Sequence, residues 1–209
     1  MEEQVKEILT PEQPTPQTAK KKLDPKVAYY VRIVGTLFVI TAIVAVLLSL
    51  VNMVTKPIID ELAEQKRIAA LSAVMPDAEF ETVSQLPEGI DGLVAITRAT
   101  RDGAPAGCCV QVTSNGFGGA MSLMVGVDNN GAITGVSILS HGETFNTNRH
   151  DWLVSQFPGH SGEVLVSKSQ ADATHIQAIS GATVTSNAVT KGVNTALRAA
   201  EAYQKGGNS

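Results

Sequence analysis

Cysteine is nearly absent from this chain of 209 residues: Cys108 and Cys109, adjacent in sequence, are the only two. That excludes a multi-bridge disulfide framework and a zinc site built from cysteine alone. A basic excess is lacking too, since 16 Lys and Arg stand against 20 Asp and Glu, a formal net charge of -4. A general attraction to phosphate backbones has no source, and no nucleic-acid partner is expected. No repeat with a period of about 20–50 residues is visible, which argues against a solenoid or propeller. His141, Glu143, His150 and His160 lie close together in the chain, but without HExxH or a similar helical metal-ligand spacing. No acid–base triad is visible. The length leaves room for one domain of about 150 residues with an appendage.

Charge is missing altogether between residues 33 and 54, where the run IVGTLFVITAIVAVLLSLVNMV reads as a transmembrane helix. As a helix it spans about 33 Å, enough for a hydrocarbon core of about 30 Å, and it is longer than the apolar part of a signal sequence. The organisation expected is a flexible cytoplasmic tail over 1–26, a transmembrane helix over 27–55, a helical neck over 56–76 and an extracytoplasmic domain over 77–209. The tail has Pro11, Pro14, Pro16 and Pro25 and few large apolar residues, too little to offset chain entropy. Lys20, Lys21, Lys22, Lys26 and Arg32 precede the span closely, against Lys56, Lys66 and Arg67 after it. The positive-inside bias therefore places the N-terminus in the cytoplasm and the C-terminal domain outside, in a single-pass protein of the cell membrane. No ionisable group lies inside the span, so this chain alone offers no ion path.

Beyond the neck, strands are predicted over 93–97, 108–113, 122–127 and 133–139, the last two joined by a turn around Asn130-Gly131. A short helix over 151–157, a strand near 164–166 and a closing helix over 187–203 follow. The fold class is α+β, an antiparallel sheet with packed helices on a single N-terminal transmembrane helix. Cys108 and Cys109 in a strand face opposite sides, so buried idle thiols are expected, with a vicinal disulfide or an electron relay as the alternative. Trp152 and Phe157 are expected as core anchors, with a role as ring-stacking partners as the alternative. Phe117 between glycines suits either a bulge or close approach to a ligand.

The chemistry concentrates in Ser180-Gly181-Ala182-Thr183-Val184-Thr185-Ser186, a run of small and hydroxyl residues leading into an Ala-rich segment. Thr185 or Ser186 is placed to cap the closing helix, whose free amides and dipole favour a phosphate. Taken by itself, the run is either such an anion site with a nucleophile-sized hydroxyl in it or only a capped helix after a small-residue turn.

This stretch resembles the flavinylation motif of the FMN-binding domains found in the G subunit of the Rnf complex and the C subunit of the sodium-pumping NADH:quinone reductase. Gly116-Phe117-Gly118-Gly119, Val125 to Asp128, Gly131 and His141-Gly142-Glu143-Thr144 match further family elements in the same order. The resemblance implies FMN held covalently by a phosphoester to Thr183, installed by a flavin transferase that uses FAD. By the same resemblance Ser180, Gly181, Ala182, Thr185, Ser186, Glu143 and Thr144 are expected as the accompanying cofactor-binding residues. Two positions depart from the family pattern: Gln177 stands where an Asp is usual, and Phe145-Asn146 follows Glu143-Thr144 in place of Pro-Gly. The resemblance further implies an electron-transfer subunit of a ferredoxin:NAD+ oxidoreductase of the Rnf type, coupled to Na+ or H+ movement, with other membrane and iron–sulfur subunits and membrane lipid as partners. The quinone-reductase subunit or another extracytoplasmic flavin-linked protein is the nearest alternative. An anchored binding or scaffold module is the alternative from a different class.

Overall fold

The computed structural model describes residues 25–143 and 147–206, so the tail expected over 1–26 lies almost wholly outside the described residues. Helix α1 (Pro25–Val74) runs for 50 residues with Pro57 inside it. The span and the neck are therefore parts of one helix. Pro57 has no N–H to return to the carbonyl four residues back. The helix is long and apolar enough to cross a membrane, and its large side chains between Ile33 and Val54 are exposed. By compactness the chain divides between Lys56 and Pro57.

In the second unit, β1 (Glu79–Thr82), β2 (Leu93–Arg101), β3 (Ala104–Gly116), β4 (Gly119–Asp128) and β5 (Ile133–Ser140) form one antiparallel sheet in chain order. The expected meander is present, with β1 added at one edge. β2 and β3 run past their expected ends to Asp102-Gly103, both in the left-handed region at φ 53° and 76°. A two-residue hairpin turn that matches strand twist needs that geometry. After β5 come α2 (Thr147–Val154), the parallel pair β6 (Leu165–Ser167) and β7 (His175–Gln177), and α3 (Thr183–Gly206).

Strand alternation puts Cys108, Val110 and Val112 on one face of the sheet, under α3, and Cys109 on the other. The buried side of α3 is rich in small residues: Ala188, Gly192, Ala196, Ala199 and Ala200 are among those buried. A Cβ on Gly192 would stand 2.5 Å from Leu123 Cδ1, so the helix lies close because that side chain is missing. On the opposite face, Ala70, Leu71, Val74 and Met75 at the end of α1 cover Ala99, Cys109 and Met124. Gly126 and Gly135 are cross-strand partners there. Together they form a seat for Val74: a Cβ on Gly126 would come 2.7 Å from Val74 O, and one on Gly135 2.8 Å from Val74 Cα. Thr134 Oγ1 donates to Val74 O at 2.6 Å and ends the helix. Both thiols are buried and unbonded, and burial pushes each up to about 12. The vicinal disulfide is not formed.

A parallel pair of three-residue strands has little ladder of its own. Side-chain amides hold its margins: Asn194 accepts from Val164 N–H at 2.9 Å and donates to Val164 O at 2.8 Å. Gln156 does the same for Gln177, at 2.8 and 3.2 Å.

Candidate functional site

Ile179, Ser180, Gly181 and Ala182 form a turn closed by Ala182 N–H to Ile179 O at 2.9 Å. Gly181 has φ 78°, the left-handed value that the third position of a type II turn requires. The turn delivers the chain straight into α3, whose first residue is Thr183 rather than the expected Asn187. Thr183 is half-buried, Ser180 and Gly181 are exposed, and Ala182 is buried. The amides of Thr183, Val184 and Thr185 precede the first intrahelical bond, Ser186 N–H to Ala182 O at 3.0 Å. They form the positive end of the helix, where an anion is favoured.

The capping role expected of Thr185 or Ser186 is corrected. Because the helix has already begun, both fall within its first turn and both are fully buried. Ser186 Oγ accepts from Ile179 N–H and donates to Ala182 O, each at 3.0 Å. Thr185 Oγ1 is buried without a hydrogen-bond partner. Neither hydroxyl is offered to the surface.

Contacts from three other segments lead to this turn. The β3–β4 hairpin ends in Gly116 paired with Gly119, with Phe117-Gly118 as its two-residue tip. Gly118 N–H donates to Glu143 Oε1 at 3.1 Å. A Cβ on Gly116 would overlap that oxygen, and one on Gly118 would overlap Gly142 O. Phe117 is thereby held out at 79% exposure. Glu143 is buried, and its Oε2 has no hydrogen-bond partner. Thr144 lies outside the described residues. Next along, the His141 and His150 rings meet edge to face at 4.3 Å. His150 is buried; burial first, then the neighbouring His141, pushes its imidazole below the ordinary value, against an opposing pull from Glu143 and Asp151. From the same helix, Arg149 and Trp152 line a shallow depression of about 260 Å³ with Ile179 and Ser180. Ser114 Oγ donates to Ala188 O at 2.8 Å and ties the hairpin to α3. Hairpin tip, 141–143 loop, α2 and the turn before Thr183 thus make one contiguous end of the domain.

This arrangement revises one expectation and places the other residues. Phe157 is a core anchor at 0% exposure, but Trp152 is 45% exposed and faces the turn. His160 stands apart from His141 and His150, its ring against Phe157 O and Asp172 O. Asp128 serves its own turn, accepting from the Asn130 and Ala132 amides at 2.8 Å. A cleft of about 1000 Å³ runs beside α3 from Asn187 to Gln204, and Thr183 does not line it. Among the described residues no group of three His, Cys, Asp or Glu is placed to hold a metal ion.

The FMN-binding domain family matches residues 116–198, a stretch that opens on the hairpin tip and contains Glu143 and Thr183. The G subunit of the Na(+)-translocating ferredoxin:NAD(+) oxidoreductase complex of Acetobacterium woodii is 32% identical over 197 residues, covering 86% of this chain and 94% of its own. The chain belongs to the family of Rnf complex G subunits. A second member, the G subunit of the ion-translocating oxidoreductase complex of Stutzerimonas stutzeri, is 31% identical over 179 residues, 78% of this chain and 77% of its own. Among solved structures, NqrC of Shewanella oneidensis has a TM-score of 0.46 at 16% identity, over 65% of this chain and 71% of that one.

The end of the domain suits an FMN phosphate. Thr183 offers a partly accessible hydroxyl at the positive end of α3. The turn before it is open at Gly181, where a Cβ would meet no atom within 4 Å outside its chain neighbours. Val184, the next residue, and Trp152, which shares a depression with Ser180, are exposed apolar side chains, suited to the flat face of an isoalloxazine ring.

Proposed function

We propose that this chain is the electron-transfer subunit of a membrane ferredoxin:NAD+ oxidoreductase that couples electron flow to Na+ or H+ translocation, with FMN joined through its phosphate to Thr183. The observation that carries the reading is the place of Thr183: a half-buried hydroxyl on the first residue of α3, inside the stretch matched to the FMN-binding domain. In attachment, the Thr183 oxygen forms a bond to the FMN phosphorus of FAD. The bond between the two phosphates breaks, AMP leaves with its electron pair, and the hydroxyl proton passes to a base of the flavin transferase. The amides of Thr183, Val184 and Thr185 offset the phosphate charge. Bound flavin supplies one- and two-electron redox chemistry; this chain holds the group and sets its exposure. The Lys and Arg excess before the span supports a cytoplasmic N-terminus with the flavin on the extracytoplasmic side. Membrane and iron–sulfur subunits are the partners in electron flow.

The test is in-gel flavin fluorescence of the denatured protein from its native host. Fluorescence is expected in the wild type and in Thr185→Ala, and is expected to be lost in Thr183→Ala. An unmodified Thr183 peptide by mass spectrometry, in every wild-type preparation, overturns the covalent reading.

A further inference from the structure

Ser186 is the one buried hydroxyl of the flavin segment that is bonded in both directions. Its Oγ accepts from Ile179 N–H and donates to Ala182 O, each at 3.0 Å. Ala182 O also accepts from Ser186 N–H at 3.0 Å, and Ala182 N–H closes the turn on Ile179 O at 2.9 Å. Four hydrogen bonds therefore tie the two ends of the turn to each other and to the first turn of α3, and the Ser186 side chain supplies two of them. The residues between the two ends, Ser180 and Gly181, are exposed, and no atom beyond its chain neighbours comes within 4 Å of a Gly181 Cβ position. The turn is thus held from within. Thr183 follows Ala182 directly, so the position of its backbone depends on this latch.

We propose that Ser186 is a positioning residue for flavin transfer: its hydroxyl latches the 179–182 turn so that Thr183 presents its oxygen to the phosphorus of FAD. The inference rests on Thr183 being the acceptor and adds the group that holds it in place. Ser186, with no exposed surface, acts through the turn and touches neither flavin nor transferase. Without the latch, the Ile179 amide loses its acceptor and the turn its inner brace, while the Thr183 hydroxyl is chemically unchanged. A misplacement of about 1 Å at a reacting atom costs on the order of 100-fold in rate. Loss of Ser186 Oγ is therefore expected to slow transfer by roughly 10- to 100-fold.

The experiment uses the full chain in detergent with the host's flavin transferase and FAD, and follows covalent flavin by denaturing-gel fluorescence. Ser186→Ala and the isosteric Ser186→Cys are compared with Thr190→Val. The last removes another buried hydroxyl of α3, which donates to Ser186 O at 2.9 Å, one turn further from the turn 179–182. Rates are expressed per folded molecule at saturating transferase and FAD. Ser186→Ala is expected to lower kcat by at least about tenfold with KM for FAD unchanged, Ser186→Cys by less, and Thr190→Val not at all. Equal slowing in Ser186→Ala and Thr190→Val overturns the inference, as does wild-type kcat in both Ser186 variants. A wild type that takes no flavin at Thr183 instead overturns the reading beneath it.

Discussion

Adding a single methyl group at Gly135 tests how the end of α1 is joined to the sheet. In Gly135→Ala the new Cβ would stand 2.8 Å from Val74 Cα and 3.2 Å from Val74 O. Carbon atoms in ordinary contact lie about 3.5–4.0 Å apart, so one partner must move by about 1 Å. Val74 Cα is backbone and cannot swing aside as a side-chain tip would. Thr134 also holds Val74 O in place at 2.6 Å. Overpacking of this kind costs about 1–3 kcal/mol, which for a domain of this size lowers Tm by about 2–4 °C per kcal/mol. The loss falls on the patch formed by Ala70, Leu71, Val74 and Met75 over Cys109, so Cys109 reports on it. Burial holds its thiol at about 12, and a buried, protonated thiol is almost inert at pH 8. A local loss of about 2 kcal/mol raises the open population roughly 30-fold. Maleimide labelling of Cys109 at pH 8 should quicken by about that factor, while Cys108 under α3 stays as in the wild type. Unchanged Tm with no faster labelling of Cys109 refutes the seat, and equal acceleration at both thiols refutes its confinement to one face.

Gly181→Ala meets no neighbouring atom but forces a left-handed φ on alanine. It is expected to cost about 1–2 kcal/mol and to lower Tm by several degrees; no change in Tm contradicts the turn geometry. Asn194→Leu strips Val164 of both its partners, a cost of about 1–3 kcal/mol. Amide exchange at Val164 should accelerate, and exchange as slow as in the wild type would show that the clip is idle. His150 is pushed down chiefly by burial, so it stays neutral in the fold at pH values where the unfolded chain, at about 6.5, already binds a proton. Its contribution is complete above about pH 6.5 and is lost as pH falls from there through the folded value. In denaturant titrations, His150→Gln should flatten that fall; a curve parallel to the wild type sinks the assignment.

The parts legible in the sequence are those with a strong period or a specific residue pattern. Charge-free length marks the span, alternation locates the centres of β2 to β5, and the Ser-Gly-Ala-Thr run marks the turn before α3. The ends of elements are harder to read. Pro105 and Gly107 hide the outer part of β3, which pairs through a bulge. β1 is polar apart from Phe80 and lacks an alternating signal. β7 is three residues long and stands only because Gln156 and β6 hold it. The start of α3 lies four residues before its expected place because Thr183 to Ser186 resemble a cap in isolation, and only the bond from Ser186 N–H to Ala182 O reveals the first turn. Trp152 reads as a core residue by its size, whereas its side of α2 faces Ser180 across a shallow depression. The bond from Gly118 to Glu143 joins residues 25 apart and depends on sheet register that no local pattern carries.

Phe117 stands on a support with no slack. Gly116 and Gly118 leave no room for side chains against Glu143 and Gly142, so the backbone of the hairpin tip is preorganised and the point from which the Phe117 side chain departs is fixed before anything meets it. A partner surface or a planar ring that comes against it has a side chain to order but no loop backbone, and the association loses that much less entropy.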